Sequence, residues 1–205
     1  ARASGREDVG FFSWDHPMVT GVLDLILGAE HGNSSFAVWP DPADRTLLVE
    51  AMFVLETVAA SRLHVDRFLP GTPLRVVVNQ KRADLTATYP EATIEGVAQK
   101  GSPFKLLDNP DVTQDILPAM IKGAHGIAKN RAQGIVSESL QTMGRLLDHE
   151  IHRLKTLQQV NGHVRPQEIE LAEKQRADLT AAIRNARVRL DAVRFIWKGP
   201  PEALG

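Results

Sequence analysis

A chain of 205 residues, 43% hydrophobic and 24% charged, is long enough to bury one substantial core, alone or with an appendage. Its formal net charge of -1 excludes a global pull toward nucleic acid or anionic membrane, so any basic binding surface has to be local. The absence of cysteine excludes disulfides, thiolate catalysis and cysteine-ligated zinc and fits a reducing cytoplasm, while no apolar run approaches the ~20 residues that cross a bilayer.

The N-terminal string Ala1-Arg2-Ala3-Ser4-Gly5-Arg6-Glu7-Asp8 carries neither an initiating Met nor the apolar region of a signal peptide, and reads as a cut inside a longer polypeptide. Residues 1–12 read as a disordered tail. Asp15 before Pro17 suits a helix start, and Val19, Val22, Leu23 and Ile26 have the spacing of a short amphipathic helix ending at Gly28. A turn through His31-Gly32-Asn33-Ser34-Ser35 leads to a strand, Phe36-Ala37-Val38-Trp39, closed by Pro40 and Pro42. Residues 46–58 alternate in part: Val49, Ala51, Phe53 and Leu55 share one face of a long strand, with Glu50, Met52, Val54 and Glu56 on a wetter one. Further strands are expected at 62–68, 74–78 and 85–89, which makes an antiparallel meander of four or five strands.

Asp111 with Gln114 has the form of a capping box, so a helix is expected near 112–122, interrupted by Pro118, Gly123 and Gly126. From about Ser137, Leu140, Met143, Leu147, Ile151, Leu154 and Leu157 mark one apolar stripe. Ile169, Ala172, Arg176, Leu179, Ile183, Ala186, Leu190 and Val193 mark a second, broken only by Arg176. Between them Gly162 suits a helix stop and Pro166 a first turn, so the two stripes predict an antiparallel helical hairpin. Gly134 and Gly144 lie within its first helix at about 1 kcal/mol each relative to alanine. Arg194-Phe195-Ile196-Trp197 is branched and aromatic and reads as a short return strand.

Little of this carries chemistry. Asp148, His149 and His152, with His125 upstream, are the best metal set, but Ile151 belongs to the buried stripe and a solvated helix surface explains them better. Gly96-Val97-Ala98-Gln99-Lys100-Gly101-Ser102 mimics a phosphate loop, yet its lysine precedes the second glycine and Pro103 disfavours a following helix, so it reads as a loop. No nucleophile elbow or paired-carboxylate site is visible, and the aromatics lack the basic interleaving of a stacking platform. The one credible surface is basic: Arg184, Arg187, Arg194 and Lys198 gather late in the chain, while Glu168, Glu170 and Glu173 open the last helix. Such polarity complements the helix dipole, and arginine forks also suit phosphates or acidic proteins.

Several strings resemble a known family. Trp14-Asp15-His16-Pro17-Met18-Val19, then Leu23-Asp24-Leu25-Ile26-Leu27, Arg67-Phe68-Leu69-Pro70-Gly71-Thr72-Pro73 and Arg189-Leu190-Asp191-Ala192-Val193-Arg194 look like the C-terminal region of the RapA family, bacterial RNA polymerase-associated ATPases of the Swi/Snf type. The resemblance implies a parent that couples ATP hydrolysis on nucleic acid, with ATP and Mg, to RNA polymerase recycling in the bacterial cytoplasm. Its helicase-type ATP motifs would lie upstream, so no catalytic residue transfers and this part is not itself an enzyme. Implied partners are polymerase and nucleic acid through the parent, and upstream domains by packing. Residues 197–205 depart from the family's pattern.

The expectation is therefore an α+β fold: an antiparallel β meander packed by helices, a long antiparallel helical hairpin and a short C-terminal return strand. Residues 13–198 form a single accessory domain (13–110 helix plus antiparallel sheet, 111–192 helices and hairpin, 193–198 return strand), with 199–205 a tail. The rival is a free-standing nucleic-acid or protein-binding module that uses the basic helix end.

Overall fold

The computed structural model describes residues 34–103, 106, 108–161 and 164–200, so the expected N-terminal tail and helix, Gly162 and the tail after 200 lie outside the described residues. The strands among the described residues are β1 (Ser34–Pro40), β2 (Thr46–Glu56), β3 (Thr72–Asn79), β4 (Gln99–Lys100) and β5 (Arg187–Gly199). The helices among the described residues are α1 (Glu91–Val97), the 44-residue α2 (Leu117–Val160) and α3 (Pro166–Arg184). The fold is α+β, with one five-stranded sheet in the order β3-β2-β5-β1-β4. All neighbours run antiparallel except β1 and β5.

β5 is the centre of that sheet and not a short return. It runs for 13 residues between β1 and β2, beginning at Arg187. The stripe expected to remain helical through Val193 changes period at Asn185: Val188, Leu190, Val193 and Phe195 join the core as strand residues. Arg187-Val188-Arg189-Leu190 alternates, and this two-residue period prevails over the helical one. A bulge at Asp191, opposite the Met52–Phe53 step, then keeps the apolar side chains on one face.

Each sheet face has its own apolar layer. The inner face carries Val49, Ala51, Phe53 and Leu55 of β2, all at most 1% exposed, with Val76, Val78, Val193 and Phe195 beside them. Against it pack Leu117, Met120, Ile121, Ala124 and Ala128 of α2 and Leu179 and Ile183 of α3. The outer face holds Ala37, Leu48, Val77 and Ile196 under Ile94 of α1, with Leu85 and Tyr89 alongside. The predicted register of β2 is correct for the inner face, but the other side is not simply wet.

Two expected strands are turns. Residues 62–68 form the short 3-10 turns Ser61–Leu63 and Val65–Arg67, joined by His64 in the left-handed region at φ 46°. Residues 85–89 form a capped turn in which Thr86 donates its N–H and its hydroxyl to Asp84. Only Val78 and Asp84 bridge there as strands do. Nor do Pro118, Gly123 and Gly126 break α2. Pro118 falls in its first turn, where a missing N–H costs nothing, and an irregular turn at Asp111–Ile116 leads into it. Asp111 makes no side-chain cap there; its own N–H goes to Asn109 instead. Gly123 lies against Arg82, where a Cβ would come within 3.1 Å of the arginine stem.

The hairpin forms as its stripes require, with Pro166 opening α3. Met143, Ile151, Ile169, Leu179 and Ile183 are buried along it. Arg176, the polar break in the seam, reaches across to Asp148, its Nη2 3.1 Å from Oδ2.

Candidate functional site

The four basic candidates do not form one free face. Arg184 is exposed in the last turn of α3. Arg187 starts β5, 64% exposed, with Nη2 3.0 Å from Glu56 Oε1. Arg194 and Lys198 lie further along β5 on the outer face, and both are engaged.

Lys198 Nζ is 2.8 Å from Asp44 and 3.4 Å from Asp41, above the rings of Trp39 and Tyr89 at 5.0 and 5.7 Å. The hydrogen bond to Asp44 raises its pKa above the usual value, and the same bond, followed by that from Thr46, lowers the Asp44 carboxyl. Only 14% of the Lys198 side chain remains exposed, so this cation is a clasp between β5 and the β1–β2 loop.

Arg194 belongs to a network that sequence reasoning missed. Glu50, expected on a wet face, is 5% exposed in the middle of β2. Its Oε1 accepts from Arg75 Nε at 2.6 Å and its Oε2 from Arg194 Nε at 2.6 Å, one arginine on each neighbouring strand. Arg75 also donates through Nη2 to the Tyr89 carbonyl at 2.8 Å, and Arg194 Nη1 is 3.5 Å from Glu95 of α1. Arg131 of α2 extends the chain of contacts by donating to the Arg75 carbonyl and to Asp84, each at 2.7 Å. A carboxylate can sit this deep only when forked donors satisfy it, and two arginines do so here. The usable signal was an isolated Glu in an apolar strand, with one arginine inside β3 and Arg194 amid the apolar end of β5.

Beside Glu50 the outer face opens into a cavity of about 370 Å³, bounded by Ser34, Ser35, Met52, Ala192 and the acids Glu91 and Glu95 of α1. Its charged floor is internally neutralised, and among the described residues that line it there is no histidine to activate Ser34 or Ser35.

The other motifs take structural places. His125 is 9% exposed beneath Phe53, ring centroids 5.7 Å apart, away from Asp148, which holds Arg176. Among the described residues no three His, Asp or Glu side chains converge as a metal would need. The glycine-bracketed string is no loop: its first part ends α1, and Gln99 and Lys100 pair as β4 with Val38 and Ala37. Gly101 passes so close to β1 that a Cβ would collide with Val38. No helix among the described residues is long and apolar enough to cross a membrane.

Comparison with known proteins places this architecture. The model of the RNA polymerase recycling family, C-terminal, matches residues 1–198. The chain is 35% identical over 97% of its length to RNA polymerase-associated protein RapA of Stutzerimonas stutzeri, covering 21% of that protein. It is 32% identical to RapA of Vibrio campbellii over 95% of the chain and 20% of the relative, and 34% identical to that of Actinobacillus pleuropneumoniae over 93% and 20%. The chain thus spans about a fifth of the length of the curated relatives it matches. With a match that runs unbroken across both the sheet and the hairpin, the chain belongs to the RNA polymerase recycling family, whose C-terminal region it represents.

Proposed function

We propose that the chain is the non-catalytic C-terminal accessory domain of an RNA polymerase-associated, ATP-dependent nucleic-acid translocase that promotes polymerase recycling in the bacterial cytoplasm. The observation that carries this reading is the family match over residues 1–198, coupled with coverage of only a fifth of each relative. The interior agrees in character: its buried carboxylate, Glu50, is held by Arg75 and Arg194, as in a packing domain. ATP and Mg would be handled outside these residues, and contact with polymerase, nucleic acid and upstream domains would use the outer surfaces. The purified chain is expected to turn over no ATP, with or without DNA. Hydrolysis at a rate typical of a translocase, abolished by a substitution within this chain, overturns the reading.

A second reading, a module that grips nucleic acid or an acidic protein by the basic helix end, draws support from the exposure of Arg184 and Arg187. Phosphate would have to compete with Glu56 for Arg187, with the buried Glu50 for Arg194, and with Asp44 and Asp41 for Lys198. If that module exists, charge reversal at Arg184 and Arg187 should lower the salt slope of DNA binding by about 0.9 per lost phosphate contact. Unchanged binding removes this face from consideration.

A further inference from the structure

We propose that Lys81, Arg82, Lys122 and Lys129 form a docking surface for the phosphate backbone of a nucleic-acid duplex, on the solvent flank of α2. All four are exposed, and among the described residues none of them has a carboxylate partner. The turn after β3 carries the first two. Asn79 holds that turn, its Oδ1 accepting from the N–H of Lys81 and of Ala83 at 3.0 and 3.1 Å. Arg82 stands in the left-handed region at φ 61°, uncommon for a residue with a side chain, and its stem lies against Gly123 of α2. Positions 122, 126, 129, 130 and 133 share one face of the helix by their spacing, and all are exposed. Lys122 and Lys129 thus stand two turns apart, about 10 Å, on either side of Gly126, with Arg82 laid alongside.

The charge here is uncompensated. Asp84, the acid of the same turn, is held by Arg131 at 2.7 Å. Asp111 and Asp115 precede Lys122 by roughly 10 Å of chain or more. Protein partners are ordinarily anchored by aromatic or apolar side chains, whereas phosphates need only cations and amides. The large apolar side chains exposed among the described residues lie elsewhere: Val58 after β2, and Leu146, Val160 and Leu171 on the outer hairpin. The face offers Asn130 and Gln133 beside its lysines, and no aromatic on which an unpaired base could stack, which favours a duplex over a single strand. Gly126 has open space where a Cβ would go. Glycine weakens a helix interior, and nothing among the described residues uses the gap, so the bare backbone leaves room for a closely approaching strand. The inference gives the proposed contact with nucleic acid a place in the fold and rests on that reading for its partner. Binding is measured without ATP, so its failure leaves the accessory role standing.

The full chain should bind a fluorescently labelled DNA duplex of random sequence in anisotropy titrations at low salt, with affinity falling as salt rises. Lys122→Gln with Lys129→Gln should weaken binding at least about tenfold and reduce the salt slope by about 1.8, or about 0.9 for each lost phosphate contact. Its melting temperature should not change, because neither lysine has a partner to lose among the described residues. Gly126→Leu should raise the melting temperature and still weaken binding, a combination that a purely structural role for this glycine does not give. Arg184→Gln with Arg187→Gln should leave affinity and slope as they are. A chain that does not bind the duplex at low salt overturns the proposal, as does a lysine pair variant whose affinity and slope match those of the wild type. So does a polyglutamate peptide of equal charge that displaces the labelled duplex as well as unlabelled duplex does, which would make the partner an acidic protein.

Discussion

Removing the Glu50 carboxylate leaves the guanidiniums of Arg75 and Arg194, 15% and 25% exposed, without the charge that compensates their burial. Breaking a buried ion group from one side typically costs about 3–5 kcal/mol, whereas replacing the whole group by apolar residues is often neutral. Glu50→Ala should therefore lower unfolding stability by about 3–5 kcal/mol in urea titrations, while Arg75→Met, Glu50→Leu and Arg194→Leu together should recover most of that loss. The clasp at Lys198 behaves differently because it is reachable by solvent ions and by pH. Asp44 titrates below its usual 3.8 in the fold, so its contribution is complete above pH 3.8 and fades as the pH falls through the lower folded value. Lys198 titrates above its usual 10.5, so its contribution is complete below pH 10.5 and fades as the pH rises through the higher folded value. The stability difference between wild type and Lys198→Met should then be flat from about pH 5 to 9 and shrink outside 3.8 and 10.5. A difference that declined between about pH 6 and 8 would mean that the cation's partner is not Asp44.

At the scale of elements, two interactions hold the hairpin and they differ greatly in strength. Leu179 and Ile183 of α3 and Met143 of α2 are buried in the main core, whereas between residues 144 and 178 only Ile151 and Ile169 are buried among the described residues. The cross-helix pairs Arg176–Asp148 and Lys155–Glu173 are all roughly half exposed and worth about 0–1 kcal/mol each. Leu179→Ala should cost about 2–5 kcal/mol in chemical denaturation, and Leu171→Ala, on the outside of the same helix, less than about 0.5. Comparable losses at both sites would show that the outer hairpin is buried against something else in solution. The stripes that predict this hairpin are legible because helix packing repeats every three to four residues, β2 because it alternates in part, and β3 because it is a branched run behind a proline and glycine break. Residues 62–68 and 85–89 are not. Both have strand-like composition, but their backbone is decided by His64 in the left-handed region and by Asp84 capping Thr86, which are single-residue events without a period. The basic candidates were legible as residues and not as a site, because their partners Glu56 and Glu50 lie 131 and 144 residues away in sequence.

For the molecule as a whole, the last described element is the one on which the sheet closes. β5 separates β1 from β2, so the first two strands never pair with each other, and each depends on a segment that follows the entire hairpin. That placement could not be read from residues 193–198, since neighbour choice in a sheet is a nonlocal property and the sequence marks only strand character. It also makes folding late and cooperative: contacts across so long a separation bring their stabilisation only after the loop-closure cost is met. A chain that stops after Ala186 would present the inner edges of β1 and β2 unpaired and strip Val193, Phe195 and Ile196 from the two cores. Unpaired edges beside exposed apolar faces are an aggregation template, so this truncation should show no cooperative unfolding transition and should sediment as aggregate. Supplying residues 187–200 as a separate peptide should restore a single transition, whose midpoint rises with peptide concentration as mass action requires. A truncated chain that unfolded cooperatively by itself, with ellipticity close to that of the intact one, would mean that β1 and β2 can close directly and that β5 is an addition to the sheet instead of its axis.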